Sequence, residues 1–434
     1  MRSRLSSFAS SSLALAVVVA SGMALGACGA DTSGLATSDT SVTADATVSF
    51  DTTTSSDATS TTDASSADTS SPDGSDARVE ETVGPLAGLK DDPTYLVPGN
   101  IAKKSEVAAF GTSVAWVETP ADSGPFFVLW DVASAAAPRT YAVPNLVRPR
   151  QLALSHELLV YVDDRYGTPD VFALGLDRGD AFTVVSQPGA QEQPTVAGSR
   201  VAWSDCRTCV TGDDGSGWEI WTRAIDVPAP DQSPAEVRLT DDAVPDRRPA
   251  FGQHESGRAV LAWVRGRTEL RVLDLAPGGE TDLTVDVASQ LRAADAVGWV
   301  AVTPGILAWR TRPLIVNPDS MIVNPDSMYP TDLFATDIAA DEVGATVRLT
   351  RHGELREGYD GAIRTAGERL AWLESTPAED HLRIAASAIE ADSAQAVAVP
   401  GLRAFALGAS LAAFIAPRDD NAGLDDLWVL PLPE

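Results

Sequence analysis

Cysteine and histidine are scarce in this sequence, with three Cys and four His among 434 residues. That leaves little material for a multi-His metal site or a Cys/His catalytic pair. Cations are also short, at 32 Lys+Arg against 61 Asp+Glu, for a formal net charge of -29. No run of them is basic, which argues against nucleic acid, since phosphate binding needs clustered Lys and Arg. Long helical periodicity is missing as well, and the only marked apolar run is Leu13–Ala20, too short to span a bilayer, which takes about 20 apolar residues.

What is present begins with an address. Arg2 and Arg4 precede the run Leu13–Ala20, and Leu25-Gly26-Ala27-Cys28 follows, the anatomy of an export signal over residues 1–27. The Leu-Gly-Ala-Cys stretch resembles the lipobox of bacterial lipoproteins. That resemblance implies cleavage before Cys28, a diacylglycerol on its thiol, and attachment to the membrane without a spanning helix. Residue 29 is Gly, not the Asp that favours inner-membrane retention in enteric bacteria. The expected location is the bacterial envelope at its outer membrane, on the periplasmic face or the cell surface. Residues 28–90 hold this lipidation position and then a Ser/Thr/Asp-rich tract with Phe50 as its only aromatic. Such a tract cannot bury enough apolar surface to offset backbone ordering, so a disordered tether is expected.

From about Asp91 to Glu434 one short stretch recurs. Gly198-Ser199-Arg200-Val201-Ala202-Trp203 has counterparts ending at Trp116, Tyr161, Trp263, Trp309, Trp372 and Phe414. The seven landmarks lie 45, 42, 60, 46, 63 and 42 residues apart. Each is preceded by one strand signal and followed by two more, as in Gln193–Ala197, Trp218–Asp226 and Glu236–Thr240 around Trp203. Four strands per period of about 40–50 residues is the signature of an all-β fold, the β-propeller, here with seven four-stranded blades. The chain ends on the third strand of its last unit. Thr94-Tyr95-Leu96-Val97-Pro98 resembles Thr140-Tyr141-Ala142-Val143-Pro144, the fourth strand of the first unit. Thr94–Val97 is therefore predicted to complete the last blade, closing the ring without an unpaired edge.

The run Tyr161-Val162-Asp163-Asp164-Arg165-Tyr166-Gly167-Thr168-Pro169-Asp170-Val171-Phe172 resembles the Trp-x-Asp-x-Arg-x-Gly-x-x-Asp-Ile-Tyr repeat of TolB-type propellers. Val201–Asp205 with Glu219-Ile220-Trp221 fits the same pattern around a longer loop. The resemblance covers the repeat region, with its polar part confined to the second and third units. It implies the propeller fold and a habit of binding.

Cys206 and Cys209 flank Arg207-Thr208 in the loop after Trp203. No βαβ pattern surrounds them, and two Cys fall short of a four-ligand zinc site, so in an exported chain they are read as a local disulfide. The acidic loops Asp213-Asp214-Gly215 and Arg418-Asp419-Asp420 lack the spacing of a dedicated calcium loop and are read as solvated turns. No metal and no cofactor is expected. The immediate duplication of Ile315–Met321 as Ile322–Met328 reads as a slippage product in a loop that tolerates insertion.

The loops between second and third strands are the longest and most varied, and all must leave the propeller at one end. Unit insertions gathered on one face often mark a binding face. The candidate binding rim is Asp163, Asp164, Arg165, Asp205, Arg207, Asp213, Asp214, Arg310, Arg418 and Asp419. The innermost strand segments, such as Val107–Phe110, Gln151–Leu154 and Pro194–Ala197, are mostly apolar or small, which offers little for acid–base work at the axis. The expectation is a monomeric, lipid-anchored binding module for an envelope protein or glycan. The rivals are a propeller enzyme of the lyase or glycosidase kind with a central pocket, and a plain envelope spacer.

Overall fold

The computed structural model describes residues 94–96, 102–134, 136–209, 217–253, 259–275, 282–291, 295–303, 305–313, 332–338, 343–350, 363–367, 369–375, 380–385, 394–399, 401–418 and 421–432. The signal segment, Cys28, the tether and the duplicated loop lie outside them, as do Asp213, Asp214, Asp419 and the side chain of Arg418.

Seven four-stranded antiparallel sheets follow one another along the chain. Blade 1 is Lys103–Phe110, Ser113–Thr119, Phe126–Asp131 and Arg139–Tyr141, paired in that order. Helix among the described residues is limited to two short 3-10 turns, Pro230–Gln232 and Ala288–Gln290. In blade 7 the strands Ala404–Leu407, Leu411–Arg418 and Asn421–Pro431 are completed by Thr94–Leu96 from the start of the repeat region. Thr94 pairs with Val429, Tyr95 with Trp428 and Leu96 with Leu427. The ring is thus closed by its N-terminal strand as the sequence predicts, over Thr94–Leu96, with Val97 outside the described residues.

The recurring aromatic sits in the second strand of each blade. Trp116, Tyr161, Trp203 and Trp309 have no exposed surface, and Trp263, Trp372 and Phe414 retain at most 5%. A propeller's middle strands are covered on both faces by the adjacent blades, so they carry continuous apolar runs in place of alternation. Leu158-Leu159-Val160-Tyr161-Val162 is such a run, every residue 1% exposed or less. The clusters straddle blade boundaries: Phe127 and Leu129 of blade 1 pack with Leu159, Tyr161, Phe172 and Leu174 of blade 2. Replacing one of these aromatics by Ala costs about 3–5 kcal/mol through lost burial and the cavity left behind.

The innermost strands carry a second repeated feature, a β-bulge. The register between first and second strands slips between Ser105 and Val107, Arg150 and Ala153, Glu192 and Thr195, Arg247 and Ala250, and Val297 and Trp299. In the first four blades the bulge places a non-glycine residue in the left-handed region: Glu106 (φ 49°), Gln151 (54°), Gln193 (57°) and Arg248 (59°). That conformation costs about 1–2 kcal/mol per residue. Its recurrence at one position in successive blades marks it as a built feature, maintained by the contacts described next.

Candidate functional site

The innermost strands enclose a central channel of about 570 Å³. Glu106, Gln151, Gln193, Arg248 and Trp299 line it from blades 1 to 5, Arg364 from blade 6, and Phe110, Leu152 and Phe251 join them from lower-polarity stretches of the same strands. The bulge residues are linked blade to blade. The Gln151 main-chain N–H donates to Glu106 Oε2 at 2.8 Å. The Gln193 N–H donates to Gln151 Oε1 at 2.7 Å. The Arg248 N–H donates to Gln193 Oε1 at 3.1 Å and to Ser204 Oγ at 2.9 Å. The Arg248 guanidinium then lies over the Trp299 ring, 4.1 Å from its centroid. One tier along the strands, the Phe251 N–H donates to Thr195 Oγ1 at 2.9 Å.

The bulges of blades 2, 3 and 4 each turn a main-chain N–H out of their own sheet, and a side chain of the preceding blade accepts it. An innermost strand is a sheet edge facing the axis, and these bonds supply partners for its edge amides. The result is a polar collar of carboxylate, amides, guanidiniums and one indole around an otherwise apolar bore. From the sequence, Gln151 and Gln193 fall in strand segments expected to be mostly apolar or small, whereas Glu106, Arg248, Trp299 and Arg364 lie outside the segments singled out there.

The expected rim residues fall into two groups. Asp163 and Asp205 are buried at the bases of their loops. Asp163 accepts the Val147 and Arg148 N–H groups and pairs with Arg165 Nε at 2.6 Å. Arg165 also donates to Tyr161 Oη at 3.1 Å and stacks over Phe172 at 4.0 Å. Burial pushes the Tyr161 hydroxyl up to about 12, against the lowering effect of Arg165. Asp205 accepts the Trp203 indole N–H at 2.9 Å, the Arg207 N–H at 2.9 Å and the Arg207 guanidinium at 2.6 Å. Arg207 bridges onward to Glu236 and stacks over Trp221 at 3.8 Å. These two acids and their arginines brace the loops from beneath.

Asp164 is partly exposed and pairs with Arg150 at 2.9 Å. Arg310 is only 2% exposed, its guanidinium 5.9 Å from the centroid of the Trp299 ring, and so is not an exposed rim residue. Cys206 and Cys209 form the expected disulfide. Glu118 holds the same strand-end position in blade 1 and accepts the Trp116 indole. In blade 4 that position is Arg265, and the Trp263 indole donates instead to Asp246, at the start of the innermost strand, at 2.9 Å. Burial raises the Asp246 carboxyl to about 6, although Arg265 acts to lower it. Among the described residues, the large exposed apolar side chains at this end of the propeller are Val147, Tyr166 and Val244.

No protein-family model matches the sequence, and no curated protein does. Solved structures similar to it include a puromycin hydrolase, at 16% identity and a TM-score of 0.48, covering 76% of this chain and 52% of that one. The chain thus spans about half that protein's length. The β-propeller domain of the Trilobed protease from Pyrococcus furiosus matches at 10% identity and a TM-score of 0.46, over 77% and 99% of the two chains. A TolB from Agrobacterium tumefaciens matches at 16% identity and a TM-score of 0.29, over 40% and 60%. The assignment therefore comes from the chain's own strand pairing: it is a seven-bladed, all-β propeller.

Proposed function

We propose that this chain is an exported, lipid-anchored binding module that meets an envelope protein or glycan through the loops joining second to third strands. One observation carries the reading. At that end Asp163 and Asp205, buried at their loop bases, fix neighbouring main chain and arginines, while Tyr166 and Val147 above them stay 63% and 61% exposed. Loops held in place before contact lose less freedom on binding, and an exposed tyrosine beside an aliphatic group is the kind of anchor interfaces use. The anchor at Cys28 and the tract to residue 90 would hold this surface at the membrane while leaving it free to reach a partner.

The test is capture from envelope extracts by the full chain, compared with a Val147→Glu/Tyr166→Glu double variant and with Asp177→Lys at the opposite end. The reading expects the double variant to lose at least tenfold in the amount of one defined partner captured, and Asp177→Lys to leave it unchanged. Equal losses from both ends, or none from the double variant, would contradict it.

A further inference from the structure

The channel holds a combination that the loop face does not explain. Its charged lining residues, among those described, are two guanidiniums, Arg248 and Arg364, and one carboxylate, Glu106. In a chain of net charge -29, cations are the groups that composition least favours at any site. Both arginines are held against rings: Arg248 over Trp299 at 4.1 Å and Arg364 over Phe405 at 5.5 Å. Farther along the innermost strands the lining turns apolar, with Leu152, Phe110 and Phe251. The volume, about 570 Å³, falls in the usual small-molecule range of about 300–1,000 Å³.

The edge amides decide what kind of molecule suits this space. A peptide adding to an innermost strand would need the N–H groups facing the axis. Those of Gln151, Gln193, Arg248 and Phe251 already donate to side chains of the preceding blade. An apolar chain makes no such demand, and in this bore it would not strip water from those four donors. The two arginines favour a planar or tetrahedral anion, which guanidinium groups recognise by paired N–H donors.

We infer that the channel binds a single-chain anionic amphiphile, its carboxylate or phosphate head at Arg248 and Arg364 and its apolar chain along Phe251, Leu152 and Phe110. This site is separate from the loop face and does not depend on what that face contacts.

The experiment is calorimetric titration of the full chain with sodium decanoate and with decyl phosphate, which distinguishes the two heads. The inference expects one site per chain, binding at least tenfold weaker for decanol, and no detectable binding of acetate. Arg364→Gln and Arg248→Gln should each weaken the better ligand at least tenfold. Neither substitution touches the collar bonds, since Arg248 enters them through its main chain, and unchanged thermal unfolding would confirm that both variants fold. Val147→Glu/Tyr166→Glu should leave decanoate binding intact, so failure of the loop-face reading and failure of this one are told apart. Absence of binding at millimolar decanoate and decyl phosphate would overturn the inference. So would binding indifferent to both arginine variants, or a short peptide with a free carboxyl terminus binding tenfold more tightly than either amphiphile.

Discussion

The main-chain N–H of Gln151 reaches out of its own blade to donate to Glu106 Oε2 at 2.8 Å. Gln151 repeats the relation one blade later, accepting from the Gln193 N–H through its own side chain. These bonds join blades at the axis, where the sheets themselves share no ladder. They also hold four residues in a left-handed conformation that glycine would adopt more cheaply.

The collar should therefore respond to acceptor loss and not to charge loss. Glu106→Ala leaves the Gln151 N–H without this partner and is expected to cost about 1–3 kcal/mol of stability. Glu106→Gln keeps an acceptor oxygen and should cost less than half as much. Denaturant unfolding of the two variants measures the difference.

The acid beneath the third blade's loop, Asp205, should matter far more than Asp164 in the loop of the second blade. Asp205 is 1% exposed and accepts from an indole, a main-chain N–H and a guanidinium. Asp205→Ala strands Arg207 and the Trp203 indole and should cost about 3–5 kcal/mol. Asp164→Ala, removing a partly exposed pair with Arg150, should cost under about 1 kcal/mol. Thermal and denaturant unfolding distinguish the two.

Asp246 makes stability depend on pH in a defined window. Its folded carboxyl titrates near 6, raised from the ordinary 3.8 by burial. The native state thus binds the proton more tightly than the unfolded chain. Its contribution is full below about pH 4 and is lost as pH rises through about 6. Asp246→Asn cannot lose a proton, so its stability relative to the parent should rise by about 1–3 kcal/mol between pH 4 and pH 7.5. A relative stability that stays flat across that window would refute the assignment.

Closure by Thr94–Leu96 predicts where the ring is weakest when that strand is missing. Deleting residues through Leu96 exposes the edge of Asn421–Pro431, and exchange should accelerate at Leu427, Trp428 and Val429 before it does in blades 2 and 3. Hydrogen exchange read by mass spectrometry resolves these segments.

Much of the architecture was legible because burial on both faces leaves a strong mark. The runs ending in Trp116, Trp203 and Trp372 are apolar throughout, and their spacing counts the blades. Closure was legible because Thr94-Tyr95 repeats Thr140-Tyr141. The collar was not, for two reasons. The bulges at Glu106, Gln151, Gln193 and Arg248 break the two-residue period, and each bond joins residues 42 to 55 positions apart. Asp163 and Asp205 stand where the loops between second and third strands begin, a place that in the sequence suggests the exposed rim and not a buried brace. Their spacing held the missing signal: an acid two residues after a buried aromatic lies on the same side of the strand, where the indole of Trp203 reaches it.

The loop-face claim is tested most directly by photo-cross-linking in intact cells of the source organism. A photoreactive residue would be placed in turn at Val147, Tyr166 and Asp177. The account predicts that Val147 and Tyr166 cross-link to one and the same envelope component while Asp177, at the other end of blade 2, does not. Cross-links of equal yield from all three positions, or a partner reached only from Asp177, would contradict it.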